Sequence, residues 1–304
     1  MLFLVTGGAG FIGSHITDRL LADGHSVRIL DNFSTGKQEN IPDSADVSVI
    51  EGDVGDFDTV FSAMQDVDMV FHEAAIASVP ETVGNPLASE RTNYRGTLNV
   101  LEAARQRGAR RVMFASSAAV YGDLPELPKH EDMPIKPLSP YATDKLASEH
   151  ACRVYTRLYG LETVALRYFN VFGPRQDPSS PYSGVISIFA DCVRQQKQPR
   201  IYGDGGQTRD FVYVSDVVEA NLRAAASLTA PGKSINVATG DTITINALLE
   251  AICKIHQQPC EPERLAAREG DIRHSCADIS KAGAELDWTP AVDFETGLRK
   301  LLGD

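Results

Sequence analysis

No basic run appears in this chain, no apolar stretch is long enough to cross a membrane, and no two cysteines have the spacing of a metal or redox motif. Each absence removes a class of function. With 29 Lys and Arg against 41 Asp and Glu the formal charge is -12, which argues against a nucleic-acid surface. An anionic ligand has to be met by a few local arginines, against the field of the whole chain. The five cysteines (Cys152, Cys192, Cys253, Cys260 and Cys276) are odd in number and scattered, as expected of small buried hydrophobes in a reducing cytosol. The seven histidines form no metal pattern. His72-Glu73 begins like a zinc-protease motif, but Ile76 stands where its second histidine belongs. His72 therefore reads as a packed residue at a strand end. The opening Met1-Leu2-Phe3-Leu4-Val5 is too short for a signal peptide. The expected protein is cytoplasmic, holds no metal, and binds neither nucleic acid nor membrane.

What is present is alternation. The chain has 304 residues, 43% hydrophobic and 23% charged, enough for one large domain or two closely packed ones. Short apolar runs at 2–5, 27–30, 47–50, 69–71, 111–115 and 163–166 read as strands. Helical stretches at 11–21, 57–64, 86–107 and 141–159 separate them, the last with apolar residues at helical spacing (Leu146, Ala147, Ala151, Val154, Leu158). This pattern predicts an α/β fold, a Rossmann-type doubly wound parallel sheet with helices on both faces. After Arg167 the elements shorten. Turn-rich segments lead to helices at 185–194, 217–226 and 245–256 and a strand at 211–214. The expected division is a nucleotide-binding domain over 1–167, with a returning segment near 211–240, and a smaller C-terminal substrate-binding lobe over 168–304.

The first strand runs into Thr6-Gly7-Gly8-Ala9-Gly10-Phe11-Ile12-Gly13. Glycines at 8, 10 and 13, after a strand and opening a helix, permit a tight turn and let the helix N-terminus approach a pyrophosphate. Asp31 ends the second strand, where a carboxylate accepts a hydrogen bond from an adenosine ribose and repels a 2′-phosphate. The predicted cofactor is NAD rather than NADP.

Tyr141 and Lys145 lie four apart and share a helix face, after Ser139-Pro140, a plausible helix start. Phenols are poor bases, with a pKa near ~10. A neighbouring ammonium and the positive nicotinamide ring of NAD⁺ are expected to favour the phenolate and lower that value. Ser117, at the carboxyl end of a predicted strand, completes the candidate catalytic set, because ligands gather at such ends in open α/β sheets.

With these residues in place the chain resembles the extended short-chain dehydrogenase/reductases, and within them the UDP-hexose 4-epimerases. Carrying segments are Thr6–Gly13, Asp31-Asn32, Gly52-Asp53-Val54, His72-Glu73-Ala74-Ala75, Ser116–Gly122, Tyr141–Lys145, Arg167–Pro174, Gly203-Asp204-Gly205, Arg209-Asp210-Phe211 and Arg268-Glu269-Gly270-Asp271. The resemblance implies that Gly7, Gly10, Phe11, Ile12, Gly13, Asp31, Asn32, Asp53, Val54, Ala74, Ala75, Ala77, Asn93, Tyr141, Lys145 and Tyr168 hold the cofactor. It implies a UDP-sugar substrate held by Ser78, Val79, Ser117, Asn170, Val185, Tyr202, Arg209, Arg268, Asp271 and Ser275. Arg209 and Arg268 suit a pyrophosphate, since the guanidinium fork matches it.

In the same resemblance, sugar 4,6-dehydratases place Asp-Glu after their Ser/Thr and nucleotide-sugar decarboxylases a glutamate. This chain has Ala118-Ala119, which cannot transfer a proton. A gate position three residues before Asp278 carries tyrosine in epimerases restricted to UDP-glucose and UDP-galactose, and a small residue where N-acetylated sugars are accepted. Here it is Ser275. The expected activity is interconversion of UDP-N-acetylglucosamine and UDP-N-acetylgalactosamine, with UDP-glucose/UDP-galactose as further substrates. UDP-glucuronate 4-epimerisation, another NAD-dependent nucleotide-sugar reaction or a non-catalytic NAD-binding scaffold are the alternatives. Relatives pair as homodimers through helices matching 86–107 and 141–159, and Leu98, Leu101, Val154 and Leu158 suit either that interface or plain core.

Overall fold

The computed structural model describes residues 1–177, 184–267 and 272–303. Seven strands form one parallel sheet: β1 (Leu2–Thr6), β2 (Ser26–Asp31), β3 (Val47–Glu51), β4 (Met69–His72), β5 (Arg111–Ser117), β6 (Glu162–Tyr168) and β7 (Lys233–Val237). Their spatial order is β7-β6-β5-β4-β1-β2-β3, with every neighbouring pair parallel. The order reverses beside β1, so a crevice opens outside the carboxyl ends of β1 and β4.

Alternation along the strands sorts side chains into two cores. Phe3 and Val5 join Met113, Val164, Leu166 and Ile235 on one face, beneath α1 (Phe11–Ala22) and the helix Val214–Ala226. Leu4, Val112, Phe114 and Ala165 point to the other, beneath the helices Phe57–Ala63, Gly96–Arg107 and Pro140–Tyr159. Each fully buried Val, Leu or Phe contributes roughly 1.5–3 kcal/mol, so two covered faces make the sheet the most resistant part of the fold. Strand β7 comes from the chain's second half and pairs residue by residue with β6 from Lys233↔Val164 to Val237↔Tyr168.

One expected element differs in form. The stretch 86–107 is a short helix Pro86–Ser89, a π-helical segment Glu90–Arg95 and a regular helix Gly96–Arg107. The periodicity signals a helix but not the widened turn within it. Asn93 sits in that segment and is fully buried.

A third cluster (Phe172, Ile186, Phe189, Ile201, Phe211, Leu248, Ile252 and Leu298) builds the smaller lobe from the helices Val185–Arg194, Ile245–Ile255 and Phe294–Leu302. Its hinge to the sheet is a short parallel pair, Asn170–Phe172 with Phe211–Tyr213. Among the described residues no helix is long and apolar enough to cross a membrane, and no cluster of His, Cys, Asp or Glu is placed to hold a metal ion.

Candidate active site

The turn after β1 is packed so closely against the neighbouring backbone that Gly7 and Gly13 admit no side chain. Gly7 has φ +68°, and a Cβ there would come within 2.8 Å of the Ala74 backbone nitrogen. A Cβ on Gly13 would run into the Gly7 carbonyl oxygen. The first turn of α1, with Phe11 and Ile12, has Gly10 as its N-cap and no capping side chain, which leaves its backbone N–H groups for an anion. The Asp31 carboxylate is buried and aimed by two backbone donors, Ala9 N and Phe33 N, each at 2.9 Å. Gly36 lies so close that any side chain there would crowd its oxygens. Asn32 is exposed beside it.

Asp53 accepts from Gly55 N at 2.8 Å and pairs with Arg91 at 3.2 Å. The Val54 side chain packs in the core, so only its backbone is left to meet a ligand. Asn93 grips Ile76 in both directions, accepting from its N–H at 2.8 Å and donating to its carbonyl at 3.1 Å. That clamp fixes the stretch holding Ala74, Ala75 and Ala77. Ser78 caps the next helix by accepting from Glu81 N, with Val79 exposed in its first turn.

Ser117, Tyr141 and Lys145 come together at the carboxyl end of β5. Ser139 caps the long helix through Ala142 N at 3.2 Å, with Pro140 in the first turn. Tyr141 and Lys145 follow on its inner face. Ser117 Oγ accepts from Ala119 N at 3.1 Å, which turns its proton outward, and its side chain hydrogen-bonds Tyr141. Lys145 is buried; its Nζ donates to the Ala115 carbonyl at 2.7 Å and lies 4.9 Å from the centre of the Phe114 ring. Burial lowers its pKa to about 8, against the opposing charges of Glu73 and Asp144.

The Tyr141 pKa departs from expectation. Burial and the nearby Glu73 carboxylate push it up, and the Ser117 hydrogen bond only partly opposes them. Lys145 Nζ lies 5.7 Å from the phenol ring centre and gives one of its three N–H donors to Ala115, and the groups around Tyr141 together do not favour the phenolate.

Sequence reasoning also missed Glu73. Tyr168 Oη donates to Glu73 Oε1 at 2.9 Å, and Asn221 Nδ2 donates to Tyr168 Oη at 2.7 Å. Burial raises the Glu73 pKa to about 7. A carboxylate at the same sheet edge as Ser117 was the available signal, obscured by its likeness to half a zinc motif. His72 is packed as expected, between the hydroxyls of Thr6 (2.7 Å) and Thr97 (3.1 Å).

Below this site Arg167 makes a bidentate pair with Glu149, both bonds 2.8 Å, and Glu149 also accepts from Ser116 and Ser234. The cluster ties β5, β6 and β7 together directly under Ser117.

On the lobe side, Asn170, Val185 and Arg209 line one cavity of about 300 Å³ with Phe172, Gln176 and Phe211. Tyr202 ends a neighbouring strand, and its carbonyl accepts from Gln207. Ser275 is half-buried and donates its N–H to the Thr208 carbonyl at 3.2 Å, one residue from Arg209. Arg268 and Asp271 lie outside the described residues. A larger apolar groove of about 420 Å³, between the helices Ile245–Ile255 and Phe294–Leu302, contains none of these residues and lies away from the chemistry.

A parallel sheet with this strand order, a glycine turn after its first strand and an acid ending its second define a dinucleotide-dependent enzyme of the Rossmann class. A model of the NAD dependent epimerase/dehydratase family matches residues 3–238. UDP-glucose 4-epimerase of Mycolicibacterium smegmatis is 41% identical over 305 residues, covering 99% of this chain and 97% of that one. The solved UDP-N-acetylglucosamine 4-epimerase of Methanobrevibacter ruminantium, in complex with UDP-N-acetylmuramic acid, superposes with a TM-score of 0.95 at 43% identity, covering 99% of this chain and 96% of that one. The Thermus thermophilus UDP-glucose 4-epimerase complex with NAD gives 0.92 at 42%, covering 100% and 98%. The chain belongs to the NAD-dependent epimerase/dehydratase family, as an isomerase of its extended short-chain dehydrogenase/reductase branch, and its cofactor is NAD.

Proposed function

We propose that this protein inverts C4 of a UDP-sugar through a transient 4-keto intermediate, with UDP-N-acetylglucosamine and UDP-N-acetylgalactosamine as its preferred pair. The observation that carries the reading is the meeting of Ser117, Tyr141 and Lys145 at one sheet edge, with Ala118 and Ala119 directly after Ser117. NAD, when bound, supplies the acceptance and return of hydride at C4. Tyr141 takes the proton of the sugar 4-hydroxyl and later returns it. Ser117 hydrogen-bonds the same oxygen, and Lys145 holds positive charge beneath the phenol. With alanines at 118 and 119, the positions after Ser117 supply no acid to dehydrate the keto sugar, which in this reading turns and is reduced from its other face. The cavity around Asn170, Val185 and Arg209 is the reading's site for the uridine diphosphate, with Arg268 and Asp271 as further proposed contacts.

The preference for acetylated sugars rests on Ser275. A tyrosine side chain buries roughly 150–250 Å², and serine at that place leaves room for a 2-acetamido group. The test is Ser275→Tyr, assayed on both sugar pairs. Selective loss of the acetylated pair is expected; equal loss for both, or none, contradicts the gate and leaves the epimerase reading standing.

The same reading includes a homodimer. Leu101 is buried and belongs to the core, whereas Val154, Leu158 and Tyr159 are 47%, 67% and 54% exposed on the helix Pro140–Tyr159. Exposed apolar residues so clustered suit a second copy of the helix.

A further inference from the structure

Asp144 stands between Tyr141 and Lys145 in sequence; its charge bears on Lys145, but its side chain has no assigned place in the proton and hydride steps above. It is only 8% exposed. A buried carboxylate requires strong partners, and the Ser89 hydroxyl donates to its Oδ2 at 2.5 Å. Ser89 Oγ in turn accepts from Asn93 Nδ2 at 3.2 Å. The same amide donates to the Ile76 carbonyl at 3.1 Å and accepts from the Ile76 N–H at 2.8 Å. The chain Asp144–Ser89–Asn93–Ile76 joins three separate segments, and the π-helical turn Glu90–Arg95 carries Asn93 within it.

This chain has a direction. An ionised carboxylate can only accept, so Ser89 must give its proton to Asp144 and present a lone pair to Asn93. Asn93 must then point its NH₂ at Ser89. If the amide flipped, its oxygen would face both the Ser89 oxygen and the Ile76 carbonyl and its NH₂ the Ile76 N–H, leaving buried groups mismatched at three places.

We propose that Asp144 is a positioning residue for the cofactor: its carboxylate accepts from the Ser89 hydroxyl, leaves the Ser89 oxygen as acceptor for the amide that Ile76 already orients, and so helps hold residues 74–77 in the conformation that lines NAD. This rests on the reading that residues 74–77 line the cofactor.

The experiment follows NAD release from the holoenzyme after desalting, together with Tm, for Asn93→Ala, Ser89→Ala, Asp144→Ala and the exchanged double variant Ser89→Asp/Asp144→Ser. The double variant keeps an acceptor facing Asn93 and a hydroxyl donating to a carboxylate. Release about tenfold faster is expected for each single variant, the scale of one lost buried hydrogen-bond partner. The exchange is expected to restore the wild-type rate within about twofold, by the same accounting of donors and acceptors. If Asp144→Ala fails to fold, Ser89→Ala and the exchange still decide. Rapid release from Asn93→Ala with wild-type release from Ser89→Ala and Asp144→Ala overturns the role of Asp144 alone. Wild-type release from Asn93→Ala overturns the cofactor-lining reading of residues 74–77, and the proposal with it. A lowered Tm with unchanged release, or an exchange as impaired as the single variants, also overturns it.

Discussion

Tyr141 and Glu73 set opposing demands within one small volume. In the proposed reaction the phenol has to lose its proton, yet burial and the Glu73 carboxylate both raise its pKa. Tyr141→Phe removes only the phenolic oxygen, so NAD binding and folding are expected to survive while turnover falls about 10²–10⁴-fold, the usual worth of a general acid-base group. Steady-state kinetics check this, and near-wild-type turnover in a folded variant contradicts it. Glu73 makes a separate prediction. Its pKa in the folded chain is about 7, above its ordinary 4.5. Between those values the folded chain keeps a proton that the unfolded chain has released, so Glu73 lowers stability as pH rises through that window, with the loss complete above about 7. Glu73→Gln is therefore expected to change Tm little at pH 5 and raise it at pH 8; an equal shift at both values contradicts the assignment. At this scale the sequence was most legible for the placement of Asp31, Ser117 and Tyr141: the carboxylate ends its strand, and the serine and phenol meet at the end of β5. Glu73, Ser89 and Asp144 were not, because their meaning comes from partners up to 148 residues apart in the chain: Asn221 reaches Glu73 through Tyr168.

At the scale of elements, the strand-helix alternation of the first half was readable because the central strands β1, β4 and β5 are largely apolar runs, separated by longer stretches of mixed polarity. The π-helical turn escaped, since a one-residue widening leaves the apolar pattern on either side intact. Strand β7 was anticipated only as a returning segment; its pairing with β6 is a contact between distant parts of the chain that no local pattern specifies. The ion pair beneath β5–β7 gives an element-scale prediction. Although burial opposes it, the Arg167 guanidinium holds the Glu149 carboxyl below its usual range, so its contribution is lost at low pH as that group protonates. Both side chains are essentially inaccessible, and Glu149→Gln would leave the Arg167 charge buried without a counter-charge. Loss of about 3–5 kcal/mol in urea unfolding at neutral pH is expected from breaking such a pair. A change below about 1 kcal/mol, the size of an exposed pair, contradicts this account.

For the whole molecule, the sheet carries the glycine turn and the Ser117–Tyr141–Lys145 cluster on one edge, while Asn170, Val185 and Arg209 surround a cavity in the second half of the chain. The proposed dimer is tested by light scattering of wild type and Leu158→Arg: a dimer dissociating to a monomer that still binds NAD is expected, and an unchanged mass contradicts the interface. The central claim is that C4 is inverted by removing and returning its own hydrogen. The most direct measurement is proton NMR of the purified protein in D₂O with UDP-N-acetylglucosamine and no added cofactor. The account predicts formation of UDP-N-acetylgalactosamine with the original hydrogen retained at C4, and the same final mixture when the reaction starts from the other epimer. Deuterium at C4, a dehydrated keto sugar, or no conversion of this or any other UDP-hexose would contradict it.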